Sequence, residues 1–298
     1  MVPLGGLNCI FIILVPYGQG GDVKPIWLTQ TTAHQILDKP DGYFNISLNL
    51  GISVTRIKKE YENVCMEEKI VSLDIVKRIA SGRSGIYILD LETESMTVLS
   101  GSHEGVYYAL IPTNTAPTIM ISGIQMHKRD DPWDDARRKV KSVIRTGDWV
   151  FDTCGGLSYT AQCCLFQGAA VVVSSEPNPY VRRLRRSNPW SRRWSSEGLI
   201  NHATTAQSLI EEIDTRSMDC VIHDPPRFSL AGELYGARFY TSLHRILRKG
   251  GRLFHYTGVP YEKRRGKSFV HGVARRLSEV GFTSTWDDST KGLICRAK

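Results

Sequence analysis

The chain has 298 residues, 41% hydrophobic and 23% charged, which suits an ordinary globular protein with room for two domains. No apolar run reaches the roughly 20 residues of a membrane span. The seven cysteines form no C-x-x-C pair, which argues against zinc and disulfide scaffolds and favours reduced thiols. We therefore expect a cytoplasmic protein without a metal site and without a membrane contact.

The net charge of +8 lies entirely in the C-terminal half. Residues 1–146 hold 16 basic and 16 acidic side chains, whereas residues 147–298 hold 22 and 14. This excess favours an acidic partner, either RNA or an acidic protein surface. No DNA specificity is evident, and the sequence leaves the oligomeric state open.

The N-terminal part is predicted to be a tail followed by a β-rich domain. Residues 1–26 suit a disordered tail or an extension upstream of the true start, and residues 27–126 form the domain. Apolar residues at every second position from Phe44 to Val54 predict one half-buried strand. Helices are predicted at Thr29–Leu37 and Ser72–Ile79, and further strands at 86–91, 96–99, 106–111 and 118–124.

A linker helix is predicted within residues 127–146, because Asp131 suits an N-cap and Pro132 a first helical residue. From residue 147 to 298, strands and helices alternate, which predicts a Rossmann-like α/β sheet of parallel strands covered by helices. Strands are expected at 149–152, 170–174, 199–201, 220–223, 252–256, 283–286 and 293–296. The last two have no helix between them and are expected to pair antiparallel.

The loop after the first of these strands indicates a ligand site. Asp152 ends the strand, and Gly155 and Gly156 allow a tight turn and close approach of a ligand to the backbone. Glu176 follows the second strand, where an acid accepts hydrogen bonds from ribose hydroxyls. A dinucleotide is the main competing ligand, but the chain has no G-x-G-x-x-G at this loop and no G-x-x-x-x-G-K-[ST].

A second loop follows the fourth strand and reads His223-Asp224-Pro225-Pro226-Arg227-Phe228. Two prolines hold the chain extended, so carbonyls and the Asp224 carboxylate form an edge that accepts hydrogen bonds from a substrate –NH₂. Phe228 suits stacking on a planar substrate. His223 fits a base and a structural histidine equally well, and Arg227 is a candidate for substrate binding.

Basic and aromatic residues cluster in two further places. Six arginines fall between Arg182 and Arg193, with tryptophans among them. Arginines with interleaved aromatics suit phosphates and bases, although a solvated helix face is the ordinary interpretation. A second cluster begins at Lys263 and Arg264. The candidate substrate-binding residues from these clusters are Arg186, Trp190, Arg192, Lys263 and Arg264.

With both loops in view, residues 28–298 resemble class I S-adenosylmethionine-dependent methyltransferases, and more narrowly a group of predicted archaeal methyltransferases of unsettled substrate. The resemblance rests on segments 123–127, 152–154, 156–160, 188–191, 223–235 and 254–256, of which the stretch around Asp224 is the most specific. It implies S-adenosyl-L-methionine as cofactor, with Asp152 holding the amino group of its methionine part. The implied cofactor site consists of Asp152, Thr153, Cys154, Gly155, Gly156, Ser158, Glu176, Pro177, Asn201 and His202.

Two departures from the family pattern concern this cofactor site. The usual G-L-G-Y-T carries Ser158 in place of its second glycine, and we expect Ser158 to cap the following helix. The third strand, which usually leads into Gly-Asp, leads here into Asn201-His202, so that one of these residues would replace the acid as the adenine contact.

The leading hypothesis is methyl transfer to a nitrogen on RNA or on a protein side chain. The catalytic set would be Asp224, Pro225, Pro226, Phe228 and His223. Two alternatives stay open: an aminopropyl transferase acting on polyamines, and a non-catalytic RNA-binding protein on a methyltransferase fold.

Overall fold

The structure is a computed structural model that describes residues 25–127, 131–194, 197–258 and 263–298, with the side chains of residues 263–268 outside the description. Of the described residues, 25–49 and 53–99 form one compact unit, and 50–52 and 100–298 form the other. The sequence pattern grouped residues 27–126 as one domain, whereas the contacts place residues 100–126 in the second unit. Most of the predicted tail lies outside the described residues.

The first unit contains two antiparallel sheets and two helices. Its elements are β1 (Ile26–Thr29), α1 (Gln30–Asp38), β2 (Gly42–Ile46), β3 (Thr55–Glu60), β4 (Asn63–Met66), β5 (Lys69–Ser72), α2 (Leu73–Ala80), β6 (Ile86–Asp90) and β7 (Ser95–Val98). The sheets have the orders β1-β6-β7 and β2-β3-β4-β5. Thr29 and Ser72 cap α1 and α2 with their side chains, and the two helices share a buried core with both sheets.

The predicted single strand from Phe44 to Val54 is wrong. β2 ends at Ile46, and β3 begins only at Thr55. Between them, the Asn49 side chain accepts a hydrogen bond from the backbone N–H of Ser53 at 2.9 Å, and Leu50 takes a left-handed φ of 59°. A side-chain turn therefore breaks the alternating pattern, because asparagine competes for backbone hydrogen bonds that a strand would need.

The second unit begins with a small antiparallel sheet of order β11-β10-β9-β8. Its strands are β8 (Ser100–His103), β9 (Val106–Ile111), β10 (Thr118–Ile121) and β11 (Ile124–Gln125). Helix α3 (Pro132–Lys141) follows, and Asp131 caps it through the N–H groups of Trp133 and Asp134. The predicted N-cap at Asp131 and the proline at the first turn are therefore confirmed.

A seven-stranded sheet forms the centre of the second unit. Its elements are β12 (Trp149–Asp152), α4 (Tyr159–Phe166), β13 (Val171–Ser175), α5 (Pro179–Ser187), β14 (Leu199–His202), α6 (Ala206–Glu212), β15 (Met218–His223), α7 (Ala237–Ile246), β16 (Leu247–Tyr256), α8 (Lys263–Glu279), β17 (Phe282–Asp287) and β18 (Gly292–Ala297). Short 3-10 helices lie at Pro189–Arg192 and Gly232–Tyr235.

The sheet order β14-β13-β12-β15-β16-β18-β17 confirms the predicted fold class. The first five strands are parallel, and β18 lies antiparallel to both β16 and β17. The chain starts at β12, moves outward to β14, and returns to the other side of β12 with β15. β12 and β15 therefore flank the topological switch point, where open α/β sheets bind their ligands.

Candidate functional site

The two loops that the sequence singled out lie side by side at this switch point. In the register of the sheet, Asp152 stands opposite Ile222 on one side and Ser174 on the other. The loops touch directly, because the Thr153 hydroxyl lies 2.7 Å from Nδ1 of His223. The end of β14 is tied to the end of β13, because the backbone N–H of Glu176 donates to the carbonyl of His202 at 3.1 Å.

The glycine loop leaves no room for a side chain at its first glycine. A Cβ on Gly155 would collide with the Ser174 hydroxyl and lie 2.8 Å from Nη2 of Arg185. Gly156 follows with a left-handed φ of 46°, a conformation that costs other residues about 1–2 kcal/mol. Both glycines are therefore required by the packing beneath the loop and by its turn.

The expectation that Ser158 caps helix α4 is wrong. Ser158 adopts φ 70°, ψ 16° and makes no side-chain cap bond. The position requires left-handed backbone, which glycine adopts freely and serine adopts at a cost. The buried Ser158 hydroxyl has no hydrogen-bond partner, so the change from glycine adds an unsatisfied polar group to the loop.

Asp152 is a fully buried carboxyl at the end of β12. Its Oδ2 accepts hydrogen bonds from the hydroxyls of Ser174 at 3.0 Å and Thr160 at 3.2 Å, while Oδ1 has no partner. Burial raises the pKa of Asp152 to about 6, against the lowering effect of the Ser174 hydrogen bond and the Arg185 charge. Its unpaired oxygen suits a positively charged donor.

Glu176 fastens the glycine loop to the start of helix α5. Its two carboxylate oxygens accept from the backbone N–H of Gly156 at 3.0 Å and of Asn178 at 2.9 Å. Burial raises the pKa of Glu176 above its usual value, and these hydrogen bonds oppose that rise. The adjacent Pro177 is exposed and its carbonyl accepts from Arg182. A carboxylate can accept further bonds, so Glu176 keeps the capacity to bind ribose hydroxyls.

Arg185 is a site residue that the sequence analysis did not single out. Its Nε donates to the carbonyl of Gly156 at 2.8 Å and its Nη1 to Oδ1 of Asn201 at 2.7 Å, while the buried Nη2 has no partner. Asn201 thus orients an arginine at the position of the missing acid, and His202 next to it is half-buried. Helical spacing could have predicted that Arg185 is buried, because it lies four residues after buried Val181 on the same face of α5.

His223 is a buried, fully hydrogen-bonded side chain. Its Nε2 lies 3.0 Å from the carbonyl of Leu234, to which it donates, so Nδ1 accepts from the Thr153 hydroxyl. Burial lowers the pKa of His223 to about 4. These contacts fit a neutral histidine that joins the two loops and leave no free lone pair for a general base.

Asp224 is held by a buried lysine from helix α3. Nζ of Lys139 lies 2.6 Å from Oδ2 of Asp224 and 2.7 Å from Oδ2 of Asp135, and 4.2 Å from the ring centre of Tyr256. The sequence analysis did not single out Lys139. Helical spacing could have predicted that Lys139 is buried, because it lies three residues after Ala136 on the buried face of α3.

The rest of the second loop combines a fixed backbone with an exposed ring. Pro225 is buried, while Pro226 is exposed and its carbonyl accepts from the Tyr235 hydroxyl at 2.9 Å. Phe228 is 53% exposed and touches the rings of Tyr235 and Phe269 edge-on. Phe228 is thus half-exposed, four residues after Asp224 in the chain, and the exposed Arg227 precedes it.

The candidate substrate-binding residues of the first basic cluster divide between the interior and the surface. Trp190 is 3% exposed, and its indole N–H donates to the carbonyl of Leu50 at 2.9 Å, so it packs in the interior and offers no stacking surface. Arg186 and Arg192 are exposed, and Arg192 donates to the carbonyl of Arg186. The side chains of Lys263 and Arg264 lie outside the described part, and both residues belong to the start of α8.

Within the described residues, no three His, Cys, Asp or Glu side chains are grouped as metal ligands would be. In the same part of the chain, no helix is long and apolar enough to cross a membrane.

Comparisons with known proteins identify a relative and a fold. No protein-family model matches the chain. An uncharacterized protein of Methanocaldococcus jannaschii, MJ1233, is 40% identical over 269 residues, covering 87% of this chain and 90% of the relative. A spermidine synthase in complex with the transition-state analogue AdoDATO superposes with a TM-score of 0.53 at 15% identity, over 68% of this chain and 75% of that one.

The spermidine synthase of Thermotoga maritima gives a TM-score of 0.50 at 14% identity, over 68% of this chain and 74% of that one. At such identities the likeness shows the fold. The predicted resemblance to the class I methyltransferase fold is thereby confirmed, as is the relationship to an archaeal protein.

Proposed function

Because the chain belongs to the family of the archaeal protein MJ1233 and has the class I methyltransferase fold, we propose that it is an S-adenosylmethionine-dependent methyltransferase that acts on nitrogen. One observation carries the proposal. The glycine loop and the Asp224 loop leave adjacent parallel strands at the switch point and are joined by the contact between Thr153 and His223. This adjacency supports the glycine loop as the cofactor loop and the Asp224 loop as the acceptor loop of one site.

The unpaired buried atoms of the glycine loop fit the amino-acid part of this cofactor. Among the described residues, four buried side-chain N or O atoms lack a partner, and three belong to Asp152, Ser158 and Arg185. Each such atom costs about 1–3 kcal/mol while unsatisfied. An α-amino acid offers an ammonium for Asp152 and a carboxylate for the Arg185 guanidinium and the Ser158 hydroxyl. Glu176 would hold the ribose.

In the proposed mechanism, the protein aligns the acceptor and keeps water away. When bound, S-adenosylmethionine supplies a methyl carbon activated by its sulfonium. Asp224 accepts a hydrogen bond from the acceptor N–H, Pro225 and Pro226 keep the loop extended beside it, and Phe228 stacks on the acceptor. His223 fixes the loop from beneath, as a neutral donor to Leu234. Alignment and desolvation supply most of what such a transfer needs.

The proposed acceptor is RNA or a protein side chain, in the cytoplasm. The support is the charge excess of residues 147–298 and the half-exposed Phe228 ring. We also propose that the β-rich N-terminal domain presents the substrate. The exposed Arg186 and Arg192 stay candidates for phosphate contacts, whereas the burial of Trp190 removes the stacking partner that the cluster was expected to supply.

Aminopropyl transfer to a polyamine is the second candidate, favoured by the likeness in fold to spermidine synthases. Its donor is the decarboxylated cofactor, which would leave the buried Arg185 Nη2 without a partner. A third candidate is a non-catalytic RNA-binding protein. The left-handed Ser158 and the Arg185–Asn201 pair, both departures from the family pattern, favour it.

Transfer of a labelled methyl group tests the proposal. Purified protein is incubated with methyl-labelled S-adenosylmethionine and fractionated archaeal extract, and the labelled polymer is identified. A parallel reaction contains labelled decarboxylated cofactor and 1,4-diaminobutane. The proposal predicts label in RNA or protein with the first donor, lost in the Asp224→Asn variant. Label in spermidine alone would favour the second candidate, and no label with either donor would favour the third.

A further inference from the structure

Lys139 places a permanent positive charge in the interior, directly behind the acceptor loop. Its side chain is 3% exposed, and its ammonium lies between the carboxylates of Asp135 and Asp224. The third side of the ammonium faces the ring of Tyr256 at 4.2 Å. Despite its burial, the pKa of Lys139 is raised by the two carboxylates, so Lys139 is charged at neutral pH.

The carboxylate of Asp224 already has a cationic partner, Lys139, without a substrate. Asp135 also faces Arg138, whose Nη2 lies 3.6 Å from Oδ1, and His127, whose Nε2 lies 3.6 Å from Oδ2. Asp135 and Asp224 thus share the ammonium of Lys139, and Asp135 also has Arg138 and His127 beside it. The carboxylate of Asp152 lies close enough to interact with Asp224 electrostatically. An acceptor that carries its own ammonium finds the Asp224 carboxylate already paired, and in the proposed complex Asp152 is paired with the ammonium of the cofactor.

From this arrangement, and on the basis of the proposed function, we infer that Lys139 is a specificity-determining residue: it orients Asp224 for neutral nitrogen acceptors and excludes polyamines. A base or side-chain amide donates an N–H to Asp224 without charge repulsion. An ammonium that binds the same carboxylate comes within about 5 Å of Nζ. At the effective dielectric constants of protein sites, that repulsion weakens binding on the order of tenfold or more.

Binding of 1,4-diaminobutane to the full chain tests the inference without requiring turnover. Calorimetry at low ionic strength compares the wild type with Lys139→Met, and with Lys141→Met as the matched control. Lys141 lies two residues along the same helix and is exposed, so its loss changes net charge equally but away from Asp224. The expected result is at least tenfold tighter diamine binding in Lys139→Met and no change in Lys141→Met.

A second variant keeps the inference testable if Lys139→Met does not fold. In Lys139→Met/Asp135→Asn, one charge of each sign is removed, so fewer buried charges are left unpaired, and Asp224 is still freed. Thermal melting verifies that each variant is folded. Equal diamine affinity in the wild type and in the folded variants would overturn the inference, as would tight diamine binding by the wild type. Because the readout needs no methyl donor, failure of the methyltransferase proposal is measured separately, as absent methyl transfer.

Discussion

If Asp152 is the carboxylate that binds the ligand ammonium, replacing it by Asn stabilises the protein and weakens cofactor binding. The side chain is fully buried, and its pKa is raised from 3.8 to about 6, chiefly by burial. The folded state therefore binds this proton more tightly than the unfolded state. The contribution of Asp152 to the free energy of unfolding is therefore fully present below pH 4 and is lost as pH rises through about 6.

The magnitudes follow from that shift. About two pKa units at 1.36 kcal/mol each give up to about 3 kcal/mol of unfolding free energy lost at pH 7, which Asn would restore. Loss of a charge-assisted hydrogen bond to the ligand ammonium costs about 1.5–3 kcal/mol, or roughly 10- to 150-fold in affinity. In the wild type, affinity falls about tenfold from pH 7 to pH 5, because Asp152 becomes protonated.

Two assays check this prediction. Denaturant unfolding at pH 7 gives the stability of both proteins, and calorimetry with S-adenosylhomocysteine at pH 5, 6 and 7 gives the affinities. Asp152→Asn is expected to bind weakly and to show no change in affinity over this range. If the Asp152→Asn variant keeps wild-type affinity, or keeps the wild-type pH dependence, Asp152 does not hold the ammonium.

Three further predictions concern other parts of the site. Asp224→Asn should slow transfer at least about a hundredfold through misalignment of the acceptor while changing cofactor affinity less than threefold; unchanged turnover would remove Asp224 from the mechanism. His223 has a lowered pKa of about 4, so its contribution to stability is present above pH 6.5 and lost as pH falls. Between pH 7 and 5 the wild type should lose about 2 kcal/mol more than His223→Gln, and equal losses in chemical unfolding would contradict this. If Arg186 and Arg192 bind phosphates, the double Gln variant should lower the salt slope of single-stranded RNA binding by about 1.4, and an unchanged slope would refute that contact.

The sequence predicted the central sheet because its signals are local. Alternating strands and helices and the glycine turn after Asp152 each depend on neighbouring residues. The prediction of one strand from Phe44 to Val54 was wrong because the Asn49 side chain accepts a hydrogen bond from the backbone of Ser53. The two-residue hydrophobic period carries no information about such a turn. The prediction that Ser158 caps α4 was wrong because the loop imposes a left-handed backbone on this residue.

The residues missed in the site are charged side chains that act across long sequence separations. Lys139 meets Asp224, 85 residues away, and Arg185 reaches back to Gly156, 29 residues away. Both lie on buried faces of basic helices, and for the helix of Arg185 a solvated face was the ordinary interpretation. Helical spacing marks such positions, but their partners become visible only when the sheet brings the strand ends together. Trp190 is the converse case, because it was a candidate for substrate binding and is buried in the interior.

A crystal structure of the protein with S-adenosylhomocysteine would show whether the two loops form one cofactor site. We expect the ligand ammonium within about 3 Å of Asp152 Oδ1, the carboxylate on Arg185, the ribose on Glu176 and the sulfur facing the Asp224 loop. A ligand bound away from the ends of β12 and β15, or bound there with Asp152 and Arg185 still unpaired, would contradict this expectation.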